Sequence, residues 1–262
     1  MIDNKLKESS IVLNKAEKQE IINQIMESQD ASPLIQARYI RTGLGDKFVD
    51  VISHVLYKNI VGGGVSDLMN AIAQISMPKR NALGLRGVIT FNFDDILEAN
   101  LRSRHIPYYS IYSDTDTCSS EYLPIYHVHG YLPRNANDIR ETANSLLVFS
   151  EEGYHAVIID PYHWSNIIQL NYLRENTCLM VGLSLTDPNL RRLLAIAARK
   201  LTEPKHYAIL KRQNVVSTGK AASVFVNVDQ KLQEESFREL GLKIIWVDDY
   251  DEIPGMLISL SK

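Results

Sequence analysis

From residue 14 to about residue 57 the apolar positions fall at helical spacing: Ile21, Ile22, Ile25 and Met26, then Ile35, Tyr39 and Ile40, then Phe48, Val51, Ile52, Val55 and Leu56. Recurrence at three and four residues places such side chains on one face of a helix. The chain is therefore expected to open on α-helices, with no strand before residue 57. After Arg86 the texture changes. Short apolar runs at 87–91, 108–112, 125–128, 146–149, 178–183, 207–210 and 243–247 alternate with helical patterns at 95–104, 151–154, 163–175, 189–200 and 230–240. Runs this short, rich in Val, Ile and Tyr and separated by helices, predict a mainly parallel, doubly wound sheet. Asp187 followed by Pro188, ahead of the Leu190, Leu193 and Leu194 stripe, reads as a helix start with Asp187 at the cap. Polar stretches at 113–120 and 134–144 read as loops. The expected fold class is α/β over one domain, 1–262, with a mainly helical portion at 1–82 and an α/β portion at 83–262.

Three of the predicted strands end on polar signatures: Thr90-Phe91-Asn92-Phe93-Asp94, His127-Val128-His129-Gly130 and Gly182-Leu183-Ser184-Leu185. Open α/β sheets bind ligands in the crevice at the carboxyl ends of their strands, so the three signatures are expected to face one shared crevice. Strand alternation puts His127 and His129 on the same face. Gly130 allows a ligand close approach to the backbone. Each signature also has a simpler reading. Asn92 and Asp94 would serve equally as caps of the helix near Asp95, the two histidines as hydrogen-bonded residues at a strand end, and the Gly182 segment as an ordinary strand-to-helix turn. A metal pair at His127 and His129 lacks any nearby Asp, Glu or Cys cluster to complete a ligand set.

In their order and framing the three motifs resemble the sirtuin-like, or SIR2-like, family, in which T-x-N-x-D, a His followed by Gly, and G-x-S-L surround bound NAD. The resemblance implies a Rossmann-like sheet with an inserted or N-terminal helical lobe. It implies catalytic roles for Asn92 and His129, and contacts to NAD from Thr90, Asp94, Gly182 and Ser184. His129 is chosen over His127 because the family's catalytic His directly precedes Gly. Chemistry accommodates these assignments. Cleaving the nicotinamide–ribose bond builds positive charge on the ribose as a neutral group departs, and a carboxamide such as that of Asn92 can hold ribose and water without itself titrating. An imidazole titrates near neutrality and can accept a proton from a hydroxyl, which contributes about a hundredfold to ten-thousandfold when well placed. Asp94 matches the Asp at the nicotinamide end, and the Gly182 segment matches the turn that lines the adenosine half. The turn Val247-Asp248-Asp249-Tyr250 is expected to border the adenine.

Composition narrows the reading. In 262 residues, 28 Lys and Arg against 31 Asp and Glu give a net charge of -3, with no general electrostatic pull towards nucleic acid or anionic membrane. No apolar run is long enough to span a bilayer and no signal-peptide core opens the chain, so a cytoplasmic protein is expected. Sirtuin deacylases usually carry a zinc lobe on four cysteines, and a chain whose only cysteines are Cys118 and Cys178 cannot build one. The resemblance thus narrows to zinc-less sirtuin-like proteins, many of which in bacteria hydrolyse NAD in defence against phage.

One departure stands out. The family opens with a strand and a G-A-G-x-S loop whose amides receive the pyrophosphate. Gly62-Gly63-Gly64-Val65-Ser66 reads much like that loop, yet residues 67–89 leave room for little more than one helix, where the family places its whole helical lobe. Residues 34–82 look like that lobe instead, so the sequence is expected to begin after the glycine loop, and both readings of 62–66 stay open. Three functions follow from the motifs: an NAD glycohydrolase, a module that senses NAD or a related nucleotide without turnover, and, third, a deacylase. A homo-oligomer, or a partner sensor or ATPase protein, is expected to supply control.

Overall fold

A computed structural model of the chain describes residues 14–27, 32–60, 66–77, 84–135, 147–212 and 220–260. In chain order the described helices are α1 (Lys15–Glu27), α2 (Pro33–Leu44), α3 (Phe48–Tyr57), α4 (Asp67–Ser76), α5 (Ile96–Ser103), α6 (Glu151–Ile159), α7 (Trp164–Glu175), α8 (Pro188–Ala198), α9 (Lys220–Glu239) and α10 (Ile253–Ser259). The strands are β1 (Val88–Thr90), β2 (Tyr108–Ile111), β3 (Leu123–His127), β4 (Leu179–Met180), β5 (His206–Lys211) and β6 (Leu242–Val247). The fold is α/β and every strand pair is parallel, as the alternation of short apolar runs with helices predicts. Two compact units divide the chain: Met1–Gly64 with Gly87–Asp160, and Val65–Arg86 with Pro161–Lys262.

In the first unit the sheet order is β1-β3-β2, so β3 is central. Leu123, Ile125 and His127 form its buried face, and Leu101, Ile106 and Ile111 are buried in the same unit. Burying a large apolar side chain completely stabilises a fold by about 1.5–3 kcal/mol, so this short sheet depends on its central strand. The link from β2 to β3 carries no helix. It is tied down instead by Asp116, whose carboxylate accepts the Tyr112 and Ser113 amides at 3.0 and 3.1 Å.

The strand expected at 146–149 is not formed over the described residues 147–149. Residues 148 and 149 are a turn, and Val148 donates its amide to the His129 carbonyl at 2.8 Å. The apolar run is buried by side chains rather than by a ladder. Val148 packs with Tyr154 and Val157, while the Phe149 ring meets those of Phe48 and Phe93. A short apolar run carries the same signal in either case.

In the second unit the order is β4-β5-β6. Helix α4, capped by the Ser66 hydroxyl accepting from the Met69 amide, packs with α10 and the β5 and β6 side chains around Ala71, Ile209, Val247, Ile253 and Leu257. Helix α8 starts as its sequence predicts: Asp187 Oδ1 accepts the Leu190 amide at 2.6 Å and Pro188 fills the first turn. Two boundaries depart from expectation. Helix α9 begins ten residues before 230, where Val224 and Val228 blunt the helical signal although both stand exposed. Strand β4 keeps only Leu179 and Met180 in its ladder, because the chain turns at Gly182, whose φ of 72° suits glycine. Of the glycine-rich segment, Gly62, Gly63, Gly64 and Val65 lie outside the described residues. So does most of the loop expected at 134–144. Among the described residues no helix is long and apolar enough to cross a membrane.

Candidate active site at the ends of two parallel strands

Strands β1 and β3 lie side by side in register, with Thr90 opposite His127. The chain leaving β1 carries Asn92 and Asp94, and the chain leaving β3 carries His129 and Gly130. The parallel register therefore brings two of the sequence motifs to the same end of neighbouring strands, where open α/β sheets hold ligands.

These two exits are cross-linked. Val128 donates its amide to the Thr90 carbonyl at 3.2 Å, and Leu132 donates to the Phe93 carbonyl at 2.7 Å. The Thr90 hydroxyl accepts the Asn92 amide at 3.1 Å, turning the chain sharply after the strand. The Phe91 and His129 rings meet edge to face, 4.7 Å between centroids. Gly130 adopts a φ of 110°, a conformation that L side chains rarely take, so a glycine after His129 is a backbone requirement here. Tyr57 clamps the far side: its hydroxyl donates to the Leu132 carbonyl at 2.6 Å and accepts the Asp95 amide at 3.0 Å. Burial pushes the Tyr57 phenol up, so it remains a donor across the physiological range. Arg134 completes the clamp, donating its amide to the buried Asp95 at 3.2 Å and holding its guanidinium 5.2 Å from the Tyr57 ring centre.

Asn92 is exposed, and among the described residues its carboxamide has no hydrogen-bond partner. It is held by its backbone and presents both a donor and an acceptor outward. Asp94 Oδ1 accepts the Ile96 amide at 3.1 Å, so part of the helix-capping reading holds. Burial is the chief influence raising the Asp94 carboxyl above its ordinary value, with the Ile96 bond opposing it. His129 sits just past the strand and is half buried.

His127 behaves differently from expectation. The alternation argument puts it beside His129 on a face open to ligand, but β3 ends at His127 and its ring points into the core, 1% exposed. There Nε2 lies 2.6 Å from Glu98 Oε1, and Nδ1 lies 3.2 Å from the Asn92 carbonyl oxygen. Ser110 donates its hydroxyl to the same Glu98 oxygen at 3.0 Å, and the Tyr131 ring lies 4.3 Å from that of His127. Sequence reasoning missed Glu98, Ser110, Tyr57 and Tyr131. One signal was present: Glu98 stands three residues before Leu101 on the apolar face of α5, where a carboxylate needs a partner.

The third motif belongs to the second unit. Gly182 and Ser184 are exposed, and the Ser184 hydroxyl shares a hydrogen bond with that of Thr186 at 2.7 Å. Leu185 is buried with a φ of 59°, unusual for a bulky residue, and Arg191 donates to its carbonyl at 3.2 Å. The turn is thus a braced one. The Val247–Tyr250 turn also carries ion pairs, Lys211 with Asp249 at 2.9 Å and Arg212 with Asp248 at 2.7 Å. Cys118 and Cys178 are free thiols, and among the described residues no three His, Cys, Asp or Glu side chains gather as a metal site would need.

Comparison with known proteins agrees with the motifs. A family model described as the SIR2-like domain matches residues 86–245, well over half of the chain. The chain is also similar to the NAD(+) hydrolase ThsA of Enterococcus faecium, 24% identical over an alignment of 238 residues that covers 82% of this chain and 48% of that protein. It spans about half the length of this relative.

Proposed function

Since the chain belongs to the SIR2-like domain family, we propose that it is an NAD glycohydrolase, which cleaves the nicotinamide–ribose bond and so depletes the dinucleotide. The observation that carries this reading is the register of β1 and β3, which delivers Asn92 and His129 to one end of adjacent strands on cross-linked turns. The name of the similar NAD(+) hydrolase supports the choice of substrate.

In this reading the carbon–nitrogen bond breaks with its electron pair passing to nicotinamide, and water supplies the oxygen that bonds to the ribose carbon. Asn92 holds the ribose and orients that water through its outward carboxamide. His129 accepts the proton released from a ribose hydroxyl or from the water. Asp94 meets the nicotinamide end, Thr90 shapes the turn that carries Asn92, and Gly182 and Ser184 offer a close backbone approach and a braced hydroxyl to a ribose or phosphate oxygen. No zinc takes part. NAD depletion of this kind would serve bacterial defence against phage, under the control of an oligomer or of a partner sensor or ATPase protein, in a soluble cytoplasmic setting.

The test is nicotinamide release, measured with and without an acylated peptide and beside calorimetric NAD binding. Release that needs no peptide, and that is lost in Asn92→Ala, is the expected result. NAD binding without release would replace the proposal with a sensing module, and peptide-dependent release would replace it with a deacylase.

A further inference from the structure

We propose that Glu98 and His127 are positioning residues that fix the Asn92 turn, an assignment whose catalytic consequence rests on the NAD-cleavage reading above. The turn at 91–95 must aim an exposed carboxamide that is itself unsupported, so its direction comes from the main chain. Three of its polar backbone groups are tied to the surrounding loops and to Tyr57: the Asn92 amide to Thr90, the Phe93 carbonyl to Leu132 and the Asp95 amide to Tyr57. The carbonyl of Asn92 itself is held from inside the core, by His127 Nδ1 at 3.2 Å.

Hydrogen-bond logic determines the protons. A carbonyl only accepts, so Nδ1 must carry a hydrogen to make this bond. On the other side, Nε2 and Glu98 Oε1 are 2.6 Å apart and hold one hydrogen between them, whether written as imidazolium with carboxylate or as imidazole with carboxylic acid. Both forms contain the same two protons, and both keep Nδ1 pointed at Asn92. Glu98 therefore selects the ring form that grips the turn, and Ser110 holds Glu98 in place at 3.0 Å. Glu98 belongs to α5, which starts where the turn ends, so the pair anchors the turn to the helix that follows it. A buried polar pair of this kind contributes little net stability compared with apolar packing. What this one supplies is direction.

Two substitutions separate positioning from simple satisfaction of a buried charge. In His127→Asn the amide nitrogen stands near the place of Nδ1, so it reaches the Asn92 carbonyl and abandons Glu98. In His127→Gln the amide nitrogen stands near Nε2, so it serves Glu98 and abandons Asn92. Hydrogen exchange of peptides covering 91–95 in the full chain is expected to stay near wild type in His127→Asn and to speed up in His127→Gln. Nicotinamide release should follow: kcat within about tenfold of wild type for the first, down about a hundredfold for the second with KM little changed, the size typical of an ångström-scale misplacement. The reverse order in exchange or in kcat, or equal behaviour of the two variants, would overturn the proposal. If either variant fails to fold by circular dichroism, the same pair is made in Glu98→Gln, where no charge is stranded, with the same expected order. A wild-type protein that releases no nicotinamide sinks the NAD-cleavage reading and leaves the exchange comparison deciding the positioning role.

Discussion

Each unit of this protein buries one histidine almost completely, and the two are wired in opposite ways. His127 is the last residue of β3, and it faces the Glu98 carboxyl group on one side and a carbonyl on the other, so a proton must lie in each of the two contacts. His206 is the first residue of β5, and its Nδ1 accepts the Cys178 amide at 3.2 Å. Burial first, and Lys205 second, hold the proton affinity of His206 below its ordinary value. One histidine is tied to a buried carboxyl group behind a candidate catalytic turn, and the other holds a backbone amide ahead of a strand. The difference follows position: one stands at the carboxyl end of a parallel strand, where α/β sheets collect their chemistry, and the other at the amino end, where they are merely held together.

The largest effects should come from the exposed end of this arrangement. Asn92→Ala and His129→Ala are each expected to cut nicotinamide release by about a hundredfold to ten-thousandfold, the range for a lost positioning group or base. Asn92 is exposed and its carboxamide supports no neighbour among the described residues, so its variant should melt within about 0.5 kcal/mol of wild type. Full activity in Asn92→Ala would end the catalytic assignment.

The buried histidines should differ next. His127→Ala strands the Glu98 carboxylate in the core, and breaking a buried pair from one side costs about 3–5 kcal/mol. His206→Ala leaves the Cys178 backbone amide unsatisfied, for about 1–3 kcal/mol. From sequence, His127→Ala is expected to be milder for catalysis than His129→Ala. The structure adds that its loss of stability should exceed that of His206→Ala. Equal denaturant midpoints for the two alanine variants would break the contrast between a histidine paired with a buried carboxyl group and one that holds only a backbone amide.

Why the motifs could be read and the pair behind them could not is a matter of range. Asn92 and His129 are legible because strand runs and strand-end polar residues are local signals, and Asp187 with Pro188 is legible because capping is local. Glu98 and His127 meet across 29 positions, so the place of Glu98 on the apolar face of its helix signals a need for a partner without saying which residue it is. Period-2 alternation also carried the His127 and His129 reading two residues past the end of β3, where the chain already turns. The failed strand at 146–149 has the same cause, since aromatic contacts from distant Phe48 and Phe93 bury what a ladder would otherwise have paired.

His206 makes a pH prediction with a definite sign. Because His206 binds a proton less readily in the folded chain than its ordinary value of 6.5, unfolded chains take up a proton that folded ones refuse as the pH falls. Its stabilising contribution is complete above 6.5 and declines below it, until the folded ring titrates as well. His206→Asn keeps an acceptor near Nδ1 and cannot titrate. Melting curves from pH 7.5 to 5 should therefore fall less steeply for this variant than for wild type, and parallel curves would show that the ring is already free to protonate in the folded state.

The smallest effect, and the one of opposite sign, belongs to Asp94. Burial outweighs the Ile96 amide bond and holds the Asp94 carboxyl above its ordinary value of 3.8, so the folded protein keeps that proton more readily than the unfolded chain does. The linkage then runs the other way from His206. Stability from this group is greatest in acid and is lost as the pH rises through 3.8 and on past the raised folded value, leaving the charged carboxylate as a standing cost at neutral pH. Asp94→Asn removes the charge and keeps an oxygen for the Ile96 amide. It should melt slightly higher than wild type at pH 8, with the gap closing below pH 4, while nicotinamide release falls through a higher KM if Asp94 meets the nicotinamide end. A variant that melts lower than wild type at pH 8 would mean that the carboxylate is stabilised by its surroundings after all, and that the turn carrying Asn92 holds no such tension.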